Sequence, residues 1–158
     1  MARRQRRTAN DRSLVGFTVD ELAYGLPIDA VREIIRPLPL VDVPHAPDAV
    51  VGVADHRNAV VPIVDLRLFF GREPSPPTRR TKWIIVGRGA QGDVSVGLVV
   101  DAVTEVFGVS EKTVRSVPEW AEAQLEAGMG EVVSRRGELV FVLLPDIVMA
   151  PGLRTGAA

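Results

Sequence analysis

The chain of 158 residues has no cysteine. That absence removes disulfides, thiolate zinc sites and cysteine nucleophiles together. Histidine is almost as scarce. His45 and His56 are the only two, and neither has a ligand-spaced partner for a metal. Long apolar runs are missing too. The longest, Leu139 to Pro145, stops at Asp146, well short of the roughly 18 residues a membrane helix needs. Aromatics make up only 5% of the residues. A nucleic-acid-binding barrel stacks bases on strand aromatics in a basic groove, so this composition argues against one. No serine lies in a G-x-S-x-G setting. The expectation is a chain with no catalytic residues, no cofactor and no metal.

Charge is unevenly placed. The first twelve residues hold five arginines and one aspartate, a net of +4, in a chain whose total is −1. The remainder therefore carries −5. Residues 1–12 read as a disordered basic arm, with contact to an anionic partner as the sharper reading. Only this arm leaves room for nucleic acid. Met1 to Arg7 resembles the charged start of a secretion signal, but the polar run Thr8 to Arg12 replaces its apolar part. The expected location is the cytoplasm, with no insertion into a membrane.

Most of what remains is written in strand periodicity. Leu14 to Asp20 alternates, with Val15, Phe17 and Val19 on one face, and Leu22 to Leu26 follows across Asp20-Glu21. Asp29 stands where a helix N-cap belongs, ahead of Val31, Ile34 and Ile35 at helical spacing. A short helix is predicted there, stopped by Pro37 and Pro39. Val50 to Ala54 and Ala59 to Val64 flank Asp55-His56-Arg57-Asn58 and read as a hairpin. Pro62 points to an edge or a bulge. Gly71 to Thr78, with Pro74, Pro76 and Pro77, reads as an extended linker.

Beyond the linker, Lys82 to Val86, Val94 to Val103 and Glu105 to Val109 read as strands. Ser110 to Val114 reads as a turn, Glu119 to Ala127 as a helix ended by Gly128 to Gly130. Glu131 to Ser134 and Glu138 to Leu144 form a hairpin across Arg135-Arg136-Gly137. Both halves close alike, on Ile63-Val64-Asp65-Leu66 and Leu144-Pro145-Asp146-Ile147, a faint internal repeat. The predicted division is one domain over 13–150. Its first subdomain covers about 13–70, the linker about 71–80 and the second subdomain about 81–150. Residues 151–158 form a flexible end.

One tempting motif fails on mechanism. Gly87-Arg88-Gly89-Ala90-Gln91-Gly92 satisfies G-x-G-x-x-G after a strand. A dinucleotide site also needs a helix starting at the loop, whose N-terminal amides hold the pyrophosphate. The next residues, Val94 to Val100, are β-branched and strand-like. Asp55 beside His56 fails as a catalytic pair, since neighbours in a strand point to opposite faces. What remains is an interaction module with exposed strand edges and an apolar groove.

Gly52-Val53-Ala54-Asp55-His56-Arg57-Asn58-Ala59-Val60-Val61-Pro62-Ile63-Val64-Asp65-Leu66-Arg67 is similar to a signature of the CheW-like chemotaxis coupling family, G-V-x-N-L-R-G-x-[IV]-[IV]-P-[IV]-[IV]-D-L-R. Tyr24 to Ile34 resembles that family's Y-G-I-x-I-x-x-V-x-E-I. Gly97 to Val106 resembles its G-[IL]-V-V-D-x-V-x-[ED]-V, and Met129 to Met149 its closing hairpin. The resemblance covers about residues 14 to 150 in order. It implies a mainly β fold of two SH3-like five-stranded barrels with short helices and a shared apolar interface. It also implies a non-catalytic adaptor that binds the cytoplasmic hairpin tip of chemoreceptors and the regulatory domain of a CheA-type histidine kinase.

Residue by residue, the resemblance carries receptor contact onto Val31, Glu33 and Arg57. A guanidinium fork suits carboxylates and backbone carbonyls. The chain departs from the family at the turn, where N-L-R-G is Asp55-His56-Arg57-Asn58. Asn58 tolerates the positive φ that glycine supplies there. Asp55 and His56 change the surface, so these turn positions are expected to alter specificity. A divergent adaptor with weakened or no kinase contact is the alternative, beside a nucleic-acid-associated barrel using the arm.

Overall fold

The structure is a computed structural model that describes residues 12–88, 94–116 and 129–149. Most of residues 1–12, the glycine loop after Arg88, the expected helix over Glu119 to Ala127 and the C-terminal end lie outside the described residues. Eleven strands are described, β1 (Arg12–Val19), β2 (Leu22–Pro27), β3 (Val31–Ile35), β4 (Val50–His56), β5 (Ala59–Asp65), β6 (Lys82–Arg88), β7 (Val94–Val100), β8 (Ala102–Val109), β9 (Val114–Arg115), β10 (Met129–Arg135) and β11 (Glu138–Leu143), with two one-turn helices, α1 (Leu66–Phe69) and α2 (Pro145–Val148). The protein is mainly β, as its alternating β-branched segments require.

The strands form two sheets. One runs β8-β1-β2-β11-β10-β9 and the other β3-β6-β7-β5-β4. Neighbours are antiparallel except β11 with β2 and β5 with β7. Setting aside the two-residue β9, the sheets share one plan. In each, a hairpin from one half of the chain (β1–β2 or β6–β7) is flanked by strands from the other half. The sheets therefore do not divide at residues 71–80, because each takes strands from both sides of the linker. The linker itself is tied down at its end, where Thr78 N donates to Thr81 Oγ1 at 2.8 Å and Thr81 is buried.

Three apolar cores follow from this plan. Leu14, Phe107, Val109, Val133, Val140 and Val142 pack within the first sheet. Ala54, Val61, Ile63 and Trp83 pack within the second. A larger core joins the sheets, with Phe17, Tyr24 and Leu26 from one meeting Ile84, Leu98 and Val100 from the other. β1 feeds two cores, Leu14 one and Phe17 and Val19 another. It is buried on both faces, so simple alternation understates its burial.

Four expectations are corrected. The helix after Asp29 is a single 3-10 turn, Ile28–Ala30, with no side-chain cap bond, and Val31 is already extended. Val31 to Ile35 is strand β3, paired with β6 through Val31↔Val86 and Ile34↔Ile84. The apolar spacing fits both periods, and a partner strand some fifty residues away decided it. Pro62 is in an interior strand. Val53 exchanges both backbone bonds with Val41, so the opposing Pro62 needs no donor toward β4. Pairing with β7 begins only at Ile63. The break between the later strands falls at Asp101, before β8, and not at Thr104. Arg12 belongs to β1, opposite Val109 and paired with Glu131, rather than to the arm.

Candidate protein-interaction site

The turn between β4 and β5 carries the site. Arg57 and Asn58 have φ of 50° and 64°, the two positive values of a type I′ turn, whose twist matches paired strands. Asn58 tolerates that region and Arg57 is held there by its side chain. Its Nε and Nη2 each donate to the Glu33 carboxylate at 2.9 Å, on Oε2 and Oε1. A carboxylate only accepts, so His56 Nε2 donates to Glu33 Oε2, also at 2.9 Å. Glu33 stands on β3 and the turn ends β4, the two edge strands of their sheet. The contact therefore bridges the sheet's edges, helped by the Val41↔Val53 bridge on the outer side of β4.

Electrostatics follow the geometry. The Arg57 fork, then the His56 bond, hold the Glu33 carboxyl down to about 2. The Arg57 side chain is 74% exposed and that of Glu33 32%. The clasp is charged, and its arginine is largely open to solvent. Of the residues marked out in the sequence, Glu33, His56 and Arg57 come together. Asp55 and Asn58 are exposed beside them. Val31 does not join the clasp, since it packs against the core shared by the sheets.

A second ionic cluster escaped the sequence reading. Arg67, at the start of α1, reaches Asp101 through Nη2 at 2.6 Å and Nε at 3.2 Å. Its Nη1 reaches Asp20 Oδ1 at 3.4 Å, and Arg72 Nη1 donates to Asp20 Oδ2 at 2.6 Å. Asp20 N donates to Asp101 Oδ2 at 2.7 Å. Asp65 caps α1 by accepting from Arg67 N at 2.9 Å. These residues sit at the β1–β2 turn of the first sheet, at α1 after β5 of the second, and at the β7–β8 junction, where the chain passes from one sheet to the other. They latch one sheet to the other. The signal was present in Asp65-Leu66-Arg67 and in Val100-Asp101, but sequence does not place such residues side by side.

No described group of three or more His, Asp or Glu is arranged to hold a metal. β7 begins at Val94, where a dinucleotide site needs a helix. No described helix is long and apolar enough to cross a membrane. The model of the CheW-like domain matches residues 13–150. The chain belongs to the CheW-like family. This CheW-like chain is 33% identical over 150 residues to chemotaxis protein CheW of Rhizobium meliloti (strain 1021), covering 95% of each. It is 28% identical over 128 residues to protein FrzA of Myxococcus xanthus, covering 81% of this chain and 78% of that one. The crystal structure of scaffolding protein TtCheW from Thermoanaerobacter tengcongensis shares the fold. Its TM-score is 0.71 at 24% identity, over 84% of this chain and 88% of that one. The CheW-like chain is thus a member of a family of chemotaxis coupling and scaffolding proteins, and its two-sheet plan is the family's fold.

Proposed function

We propose that this chain is a non-catalytic adaptor that couples chemoreceptors to a CheA-type histidine kinase in the cytoplasm. The receptor's cytoplasmic hairpin tip docks at the Glu33–Arg57 clasp, with Val31 alongside, and the kinase's regulatory domain engages a separate surface. The observation that carries this reading is the largely exposed Arg57 guanidinium, fixed by two bonds to Glu33. An ion pair this open adds little to folding. A pre-ordered arginine fork loses little freedom on binding a carboxylate or carbonyl of a receptor helix.

The bond from His56 to Glu33 favours one variant of this reading. Where the family pattern has an apolar leucine, His56 turns back onto the Glu33 carboxylate, and Asp55 adds a negative charge beside it. The variant keeps the receptor and weakens the kinase contact. The test is calorimetric titration of the full chain with purified receptor hairpin tips and with kinase regulatory domains. Saturable receptor binding is expected, reduced by about tenfold or more in Arg57→Ala if this arginine is a hot spot. Binding to neither partner overturns the proposal. Binding to the receptor alone selects the variant.

A further inference from the structure

Each sheet has a glutamate–arginine contact at the tip of a hairpin, Glu33 with Arg57 and Glu105 with Arg135, and these two contacts are equivalent in the fold. Gly25-Leu26-Pro27-Ile28-Asp29-Ala30-Val31-Arg32-Glu33-Ile34 is repeated as Gly97-Leu98-Val99-Val100-Asp101-Ala102-Val103-Thr104-Glu105-Val106. Glu33 lies on β3 and Glu105 on β8, the corresponding edge strands. Each takes an arginine from the tip of a hairpin, Arg57 in the β4–β5 turn and Arg135 at the end of β10.

The two arginines are used differently. Arg57 spends Nε and Nη2 on its glutamate. Arg135 spends Nε alone, at 2.8 Å from Glu105 Oε1. Its Nη groups have no hydrogen-bond partner among the described residues. The guanidinium is steadied over the Phe107 ring, 4.3 Å from the centroid. Beside it opens a cleft of about 170 Å³. Buried Phe107, Val109 and Val133 form its floor, Thr113 one wall, and Arg135 and Arg136 its rim. None of the described residues lining it is a carboxylate.

We propose that this cleft is a second protein-docking site, taking an acidic side chain flanked by an apolar residue on a partner protein. The carboxylate meets the unspent Nη groups of Arg135, with Arg136 adding charge, and the apolar neighbour covers Phe107. A planar fork with parallel free donors is suited to a carboxylate. The site is independent of what engages the first clasp. With two such sites on one chain, a partner carrying two acidic segments is held by both, and their affinities combine.

The test uses the full chain, isotope-labelled for amide spectra, titrated with capped Leu-Glu-Leu peptide. Leu-Gln-Leu peptide and inorganic phosphate at matched ionic strength are the controls. Saturable shifts are expected at Gly108, Thr113, Ser134 and Arg135 with the glutamate peptide and not with the glutamine peptide. Arg135→Gln abolishes them. Arg136→Gln, an exposed turn residue, keeps the folded spectrum and weakens binding at least about threefold, as loss of a rim charge does. No saturable shift, equal response to the glutamine peptide, an equal effect of phosphate, or shifts confined to the Glu33–Arg57 clasp each overturn the proposal.

Discussion

Arg57 and Glu33 were both singled out in the sequence as expected contact residues, but their pairing with each other was not legible there. Arg57→Ala is expected to move the thermal midpoint by no more than roughly 3 °C, because an exposed pair contributes little, while receptor affinity falls. A large midpoint loss with unchanged affinity makes the arginine structural. The Glu33 carboxyl, ordinarily near 4.5, is held at about 2 in the folded chain by Arg57 and His56. A lowered folded value means the stabilisation is full above the unfolded value and is lost as pH falls through the folded one. The midpoint difference between the natural chain and Glu33→Gln should be present at pH 6 and vanish as pH approaches about 2. Asp65 runs the other way. Burial raises its carboxyl above the ordinary value, so ionising it opposes folding as pH rises through that raised value. Asp65→Asn keeps the cap without the buried charge and should leave stability equal or higher. Asp65→Ala loses the cap and should cost about 0.5–2 kcal/mol in urea unfolding.

At the scale of elements, strands with one buried face were readable, and hairpin turns announced themselves through their residues. Arg57-Asn58 and Arg136-Gly137 both adopt the positive φ of a tight hairpin. Asn58→Gly should therefore be neutral or slightly stabilising, and loss of receptor binding with an intact fold would make the Asn58 side chain a contact. β3 was misread because Val31, Ile34 and Ile35 satisfy helical spacing, and only β6 supplied the reason to be extended. Gly52 shows a constraint that no local pattern reveals. Its φ is 150°, and a Cβ there would stand 2.7 Å from the Val41 carbonyl oxygen. Gly52→Ala is expected to cost about 1–3 kcal/mol through backbone strain, read as a lower urea midpoint. An unchanged midpoint would show that the Val41 segment yields freely.

At the scale of the molecule, the chain interlocks its halves by exchanging hairpins. Neither sheet is complete without strands from both sides of the linker, so the halves are expected to unfold together. Arg67 holds Asp101 on one side of the junction and Asp20 on the other. Arg67→Ala should lower stability by about 1–2 kcal/mol, with solvent screening part of the effect, at an unchanged denaturant slope. A smaller slope or a second transition would mean that the latch is what keeps the sheets cooperative.

The sequence by itself determined the class of this protein. Its β-branched alternation, missing cysteines and ordered motifs led to a mainly β chain of the CheW-like family, with Arg57 at a hairpin tip. These are local properties, and spacing along the chain records them. Tertiary structure alone decided which strands share a sheet, that Glu33 receives both Arg57 and His56, and that Asp20, Arg67, Arg72 and Asp101 form one latch. The bonded partners Glu33 and Arg57 lie 24 residues apart, Arg67 and Asp101 34, and Asp20 and Asp101 81. Such meetings depend on sheet order and register, which arise when distant apolar faces find one another and not from any window of sequence.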